Sequence, residues 1–180
     1  MHRLFIALRP PPAIRDALVD VMDGVPGARW QDDEQLHLTL RFIGAVDRPV
    51  AEDVAAALAS IHAATPIVSL ESVGRFDHRG RTEQLWAGVA PHDALAALHR
   101  KVDQAMVRVG LEPERRAYLP HVTVARLPRG AHAEPEVERW LARHVGLASA
   151  PFPLTHVVLY ESHLGHEGAR YEAIARWPLV

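Results

Sequence analysis

The 180-residue chain is 48% hydrophobic with a net charge of −2, which suits one compact domain or two tightly fused lobes and excludes disorder. So small a charge argues against holding a polyanion by charge alone, but not against a local anion site. The absence of cysteine excludes disulfides, thiolate catalysis and cysteine-based zinc sites.

The opening "MHRLFIALRPPP" has a five-residue apolar run, Leu4–Leu8, stopped by Arg9 and Pro10. That is too short for a signal-peptide core or a membrane span, so a cytoplasmic protein without a membrane partner is expected. Residues 3–8 read as a strand, and "PAIRDALVDVM" as a helix with Ile14, Ala17, Leu18 and Val21 on one face. A second strand is expected at 36–43. A helix follows in "PVAEDVAAALASIHAA", with Val50, Val54, Leu58 and Ile61 at helical spacing, and a third strand in "PIVSLESV". The stretch 74–84, "GRFDHRGRTEQ", reads as the loop between two halves.

The second half repeats the order. "EQLWAGVA" is a strand. "HDALAALHRKVDQAMVRVG" is a helix striped by Leu95, Leu98, Val102, Met106 and Val109 and ended by Gly110. "YLPHVTVARL" is a strand and "EPEVERWLARHV" a short helix. "FPLTHVVLYES" and "ARYEAIARWPL" form a last hairpin across "HLGHEG". The expected fold is α+β: two β-α-β-α-β units with antiparallel or mixed sheets, approximate lobes 1–75 and 82–180, related by a pseudo-twofold axis and flanking a cleft. The whole chain, 1–180, is expected to act as one domain.

Two strands carry His-x-Thr: "HLTL" at 37–40 and "HVTV" at 121–124. Strand alternation puts His37 and Thr39 on one face and Leu38 and Leu40 on the other, and treats His121 and Thr123 likewise against Val122 and Val124. With twelve histidines in the chain, chance alone supplies about 0.3 such tripeptides. Two of them, each in an apolar strand of a similar unit, therefore point to one site rather than to incidental histidines. Converging on a cleft, two imidazoles can divide the acid and base roles. Threonine hydroxyls can donate to phosphoryl oxygens, and arginine can neutralise their charge. That is a metal-free kit for displacement at phosphorus.

At these residues the chain resembles the two-histidine (2H) phosphoesterases, and more closely the RNA 2′,3′-cyclic phosphodiesterases of the 2′-5′ RNA ligase family. "RLFIAL" is similar to that family's opening strand, "HLTLRFIG" and "PHVTVAR" to its two motifs, and "GARYEAIARWPL" to its closing strand. The resemblance implies a bilobal fold and hydrolysis of an RNA terminal 2′,3′-cyclic phosphate to a 2′-phosphomonoester, with no cofactor and no metal. It implies His37 as proton donor, His121 as proton acceptor, Thr39 and Thr123 as phosphate ligands, and Arg126 as an added charge. Its partner would be an RNA end, tRNA fragments included, met by a monomer. Three rival readings stay open: a cyclic phosphodiesterase for small nucleotides such as ADP-ribose cyclic phosphate, a non-catalytic module that binds RNA ends, and a purely structural protein.

Other residues carry mixed expectations. Arg126 lies five residues after His121, so strict alternation sets it on the opposite face; it reaches the cleft only where the strand bends or ends. Phe42, five after His37, falls on the core side by the same count. Phe76, in the expected loop, either packs or stacks on a base. Trp86 and Trp140 are expected in the core, and Tyr160 and His163 are candidates for the cleft wall. His163-x-x-His166 is a weak metal pattern. The remaining histidines, His132 among them, lack ligand spacing, and "DDE" at 32–34 is expected to be solvated.

Overall fold

The computed structural model describes residues 1–131 and 133–180; His132 lies outside them. The elements, in chain order, are β1 (His2–Leu8), α1 (Pro12–Val19), β2 (Arg29–Trp30), β3 (Leu38–Val46), α2 (Arg48–Ala59), β4 (Ile67–His78), β5 (Arg81–Ala90), α3 (Asp93–Arg108), β6 (His121–Arg126), α4 (Glu134–His144), β7 (Phe152–Pro153), β8 (His156–Gly165) and β9 (Gly168–Pro178). Strand order is β7-β4-β5-β6-β3-β1-β8-β9, with β2 also paired to β6. The pairings are antiparallel.

The two central strands, β3 and β6, meet at Leu38 and Val122. Four strands of that order lie on each side of the seam, with the two-residue β2 as a ninth beside β6, which is the pseudo-twofold arrangement. The pairing does not follow the halves of the sequence, however. The third strand of the first half, β4, pairs with β5 and β7, while β8 and β9 return to join β1. Each side of the sheet thus borrows strands from the other half of the chain. The equivalent inner strands are β1 and β5, so Ile6 matches Leu85: their partners Arg41 and Ala125 each lie four residues after a motif histidine.

One sheet face is packed beneath helices. Leu4, Ile6, Leu8, Leu38, Leu40, Leu85, Ala87, Val122 and Val124 share a single core with Leu18, Val54, Leu58, Leu98, Val102 and Trp140 from α1–α4. The aliphatic half of each motif strand lies in that core, as alternation requires. The opposite face carries a small aromatic cluster of Phe5, Ala7, Val158 and Tyr160, with Tyr171 against it.

The stretch 74–84 is not a loop. It is the end of β4, a two-residue turn at Arg79-Gly80, and the start of β5. Both turn residues have positive φ, 51° and 74°, the conformation that suits the twist of a two-residue hairpin. Gly74 lies opposite Trp86 in this hairpin, and the indole covers it: a Cβ at Gly74 would stand 2.2 Å from the ring. Glycine is therefore required for the close approach. A Gly74→Ala variant should lose about 1–3 kcal/mol of stability through forced movement of Trp86, measured by urea denaturation; an unchanged midpoint contradicts this packing.

Candidate active site

The Leu38–Val122 pairing fixes the site. Extended by one residue each way, its antiparallel register sets His37 opposite Thr123 and Thr39 opposite His121. All four side chains then stand on the face away from the helices.

Each imidazole is held in the same way. The Nδ1–H of His37 donates to the Gln35 carbonyl at 2.7 Å, and that of His121 to the Leu119 carbonyl at 2.7 Å. A carbonyl can only accept, so each ring carries its proton on Nδ1 and has Nε2 as its acceptor nitrogen. The Thr39 hydroxyl donates to His37 Nε2 at 3.0 Å. The Thr123 hydroxyl meets the Gln84 side-chain amide at 3.1 Å. The Tyr118 hydroxyl, just ahead of the second motif, donates to the Thr39 carbonyl at 3.2 Å and so ties the two motif strands together.

Aromatic rings fix the other sides. His37 lies 4.9 Å from Phe5 and meets Tyr171 edge-on at 5.3 Å, with Tyr160 at 6.2 Å. His121 meets Phe76 edge-on at 4.9 Å and has Trp86 at 6.0 Å. Phe76 and Trp86 are thus supports of the site rather than loop or core residues, whereas Trp140 is core, donating its indole N–H to the Val21 carbonyl. Tyr160 is buried behind His37. His163 points to the helix side of the sheet.

Arg126 reaches the site through an irregularity. In β6 the register with β5 skips Val124 between Thr123 and Ala125. This β-bulge reverses the alternation, so Val124 and Ala125 are both buried and Arg126 emerges on the histidine face. The first motif has the same bulge at the same place, with Leu40 skipped between Thr39 and Arg41. Leu40 and Arg41 are buried in consequence, and Phe42 is 57% exposed, the reverse of the core position that strict alternation gives it. Arg41 is directed among the helices, where it pairs with Asp103 and the Glu112 carbonyl.

The electrostatics follow from this enclosure. Desolvation lowers the His37 pKa to about 4, with Arg126, His121 and Arg9 adding repulsion of a positive ring, against a raising effect of the Gln35 hydrogen bond. His121 is lowered as well, first by desolvation and then by Arg126, with the Leu119 contact opposing. Both rings are therefore neutral near pH 7 in the free protein.

Sequence alternation missed Gln35, Gln84 and Tyr171. Asp32, Asp33 and Glu34 are exposed but not idle: Asp32 caps a short 3₁₀ turn that presents the Gln35 carbonyl, and Asp33 pairs with Arg9 and Arg15. His163 contacts Glu172 at 3.0 Å rather than His166, and Glu161, His163 and Glu172 bring three donor atoms within 4.8 Å of one another. That group lies across the sheet from His37 and has no part in the motif site.

A family model for the 2′-5′ RNA ligase superfamily matches residues 10–166. The chain belongs to the 2′-5′ RNA ligase superfamily. Among its relatives, a protein of Aeropyrum pernix named RNA 2′,3′-cyclic phosphodiesterase is 30% identical, with 89% of this chain and 90% of that one covered. A protein of the same name from Geobacillus stearothermophilus is 33% identical over 89% of this chain, which spans about half (51%) of that relative's length. In fold, the chain is similar to E. coli LigT complexed with 3′-AMP, with a TM-score of 0.79, 23% identity, and 99% of this chain and 98% of that one covered. It is also similar to TT0787 of Thermus thermophilus, with a TM-score of 0.80, 22% identity and coverage of 98% and 97%. No helix among the described residues is long and apolar enough to cross a membrane.

The depressed His37 pKa has a consequence for stability. Between its ordinary pKa of 6.5 and about 4, the unfolded chain binds a proton that the folded chain resists, so stability falls as pH falls through that window. A His37→Phe variant, which keeps an aromatic ring in the cage, should lose less stability than the parent between pH 6.5 and 4. Urea unfolding at the two pH values measures this, and equal losses contradict it.

Proposed function

We propose that this protein hydrolyses the 2′,3′-cyclic phosphate at the 3′ end of an RNA to a 2′-phosphomonoester, using His37 and His121 as acid and base. The observation that carries this reading is the meeting of two His-Thr pairs about one strand pairing, each imidazole held at Nδ1 by a backbone carbonyl so that Nε2 is the unprotonated nitrogen. The names of the relatives support the same activity.

The step balances within the site. His121 Nε2 takes a proton from water, and the water oxygen attacks phosphorus. The bond from phosphorus to O3′ breaks, and His37 Nε2–H gives its proton to that oxygen. A bound phosphate anion favours the imidazolium, so substrate supplies the charge that raises the His37 pKa. Once protonated, His37 is a stronger acid than an ordinary imidazolium, which suits the donor role. The base, His121, must be unprotonated for turnover, and desolvation lowers its pKa, so the acid limb of kcat/KM lies below neutrality.

The threonines change partners with the proton. Protonation of His37 at Nε2 removes the acceptor of the Thr39 hydroxyl, whose proton turns to a phosphoryl oxygen while Nε2–H faces O3′. A flip of the Gln84 amide, whose oxygen and nitrogen are interchangeable in shape, lets it donate to Thr123 and frees that hydroxyl in the same way. Arg126 offsets charge gathering on the phosphoryl oxygens. Each proton has an imidazole, so no step calls on a metal. The 5′-hydroxyl of a second RNA, attacking phosphorus in place of water while the same bond to O3′ breaks, gives a 2′-5′ linkage instead of a monoester, and the reverse of that step re-forms the cyclic phosphate. The site draws on both sides of the sheet, which supports residues 1–180 acting as one domain. This reading places the protein in the cytoplasm, with tRNA fragments among its substrates.

His37→Ala and His121→Ala should each lower turnover of a cyclic-phosphate-ended oligonucleotide by about 10²–10⁴-fold with the circular dichroism spectrum unchanged, and a strong chelator should leave the parent's rate unaltered. Full activity in either variant contradicts the paired roles.

A further inference from the structure

The pairing of β2 with β6 sets Arg29 directly across from Arg126. Like charges directly opposite in an antiparallel ladder repel. Neither guanidinium makes an ion pair with another described residue, and both are exposed. Both also line a cavity of about 320 Å³ that Gln35, Tyr171, Trp30 and Glu167 help to enclose. This cavity adjoins the histidine pair, because Gln35 holds the His37 ring by its carbonyl and Tyr171 lies edge-on against the same ring. Glu167, in the β8–β9 turn, is the one carboxylate on its lining, so the two arginines leave the cavity cationic.

We infer that Arg29 and this cavity form a subsite for a second phosphate, the one esterified at the 5′ oxygen of the nucleoside whose cyclic phosphate sits between the histidines. The inference rests on the proposed reaction and specifies its substrate class. Arg126 is near enough to both imidazoles to depress them, which places its charge at the phosphorus under attack. Arg29 stands directly across from Arg126 on the neighbouring strand, and in an RNA end the phosphate nearest the terminal cyclic one is that on the 5′ oxygen of the same nucleoside. Two guanidiniums held side by side with no acidic partner are stabilised by two phosphates, since each phosphate accepts charge-assisted hydrogen bonds and screens the repulsion between the cations. A nucleoside cyclic phosphate with a free 5′-hydroxyl fills only the first of these positions. An RNA end fills both.

The experiment compares parent, Arg29→Ala and Arg29→Glu on three substrates: a nucleoside 2′,3′-cyclic phosphate, the same compound with a 5′-phosphate, and a trinucleotide ending in the same cyclic phosphate. Arg29→Ala should raise KM about tenfold for the trinucleotide and for the 5′-phosphorylated compound, with the charge reversal raising it further, and should leave the simple cyclic nucleotide unchanged. A rise for the trinucleotide alone would give the subsite to the internucleotide linkage, and a rise for both to any 5′-phosphate. Equal KM changes on all three substrates, or none, would overturn the inference. Fluorescence anisotropy with a trinucleotide ending in a 2′-phosphate repeats the comparison without turnover. There the parent should bind with a salt slope steeper than that of Arg29→Ala by about 0.7. Turnover absent from the parent, with the anisotropy difference intact, would sink the catalytic reading and leave the subsite standing.

Discussion

One backbone contact, Leu38 against Val122, holds the rest of this site in place. It is the seam between two four-stranded halves of the sheet, and it sits one residue from each motif histidine. Its side chains lie in the helix-covered core, where burial of Leu38, Leu40, Val122 and Val124 anchors the two strands. What faces the other way is then decided by alternation: two imidazoles and two hydroxyls, on strands that are hydrogen-bonded neighbours. The apolar core under the sheet and the polar site above it are two sides of the same four-residue segments.

The paired bulges determine how far the symmetry goes. Each strand gains its extra residue three positions after the histidine, at Leu40 and at Val124. Each therefore brings a residue to the site face that strict alternation would bury. On the His121 strand that residue is a cation, Arg126; on the His37 strand it is an exposed ring, Phe42. The two histidines share geometry but not surroundings. Phe5, Tyr160 and Tyr171 enclose His37, so desolvation leads the lowering of its pKa. That difference sets the two imidazoles apart in a site whose backbone is nearly twofold.

Much of this was legible in the sequence, because it depends on local pattern. The helices have apolar stripes at helical spacing, and the motif strands alternate cleanly up to the bulge. The return of β8 to β1 was not legible, since strand pairing across more than a hundred residues leaves no local trace, and the β4–β5 pairing was hidden by taking 74–84 as a loop. Strict alternation sets Arg126 and Phe42 on the wrong face for the same cause: a bulge adds one residue without any required residue type, and a period-2 count cannot detect it. The 74–84 hairpin looked like a loop because Gly74, Arg79 and Gly80 read as turn residues. Only the last two form the turn; Gly74 is there to admit the Trp86 ring. Gln84 and Tyr171 had no signal, as each acts only through a neighbour supplied by tertiary structure.

The proposed reaction requires the two imidazoles to serve one phosphorus centre. Titration of the ring nitrogens of His37 and His121 by NMR, with and without a saturating nucleoside 2′-monophosphate, tests it most directly. If the anion lies between the rings, both pKa values rise together on binding, His37 from its low starting point near 4. A rise at one histidine alone, or at neither, would contradict a shared site.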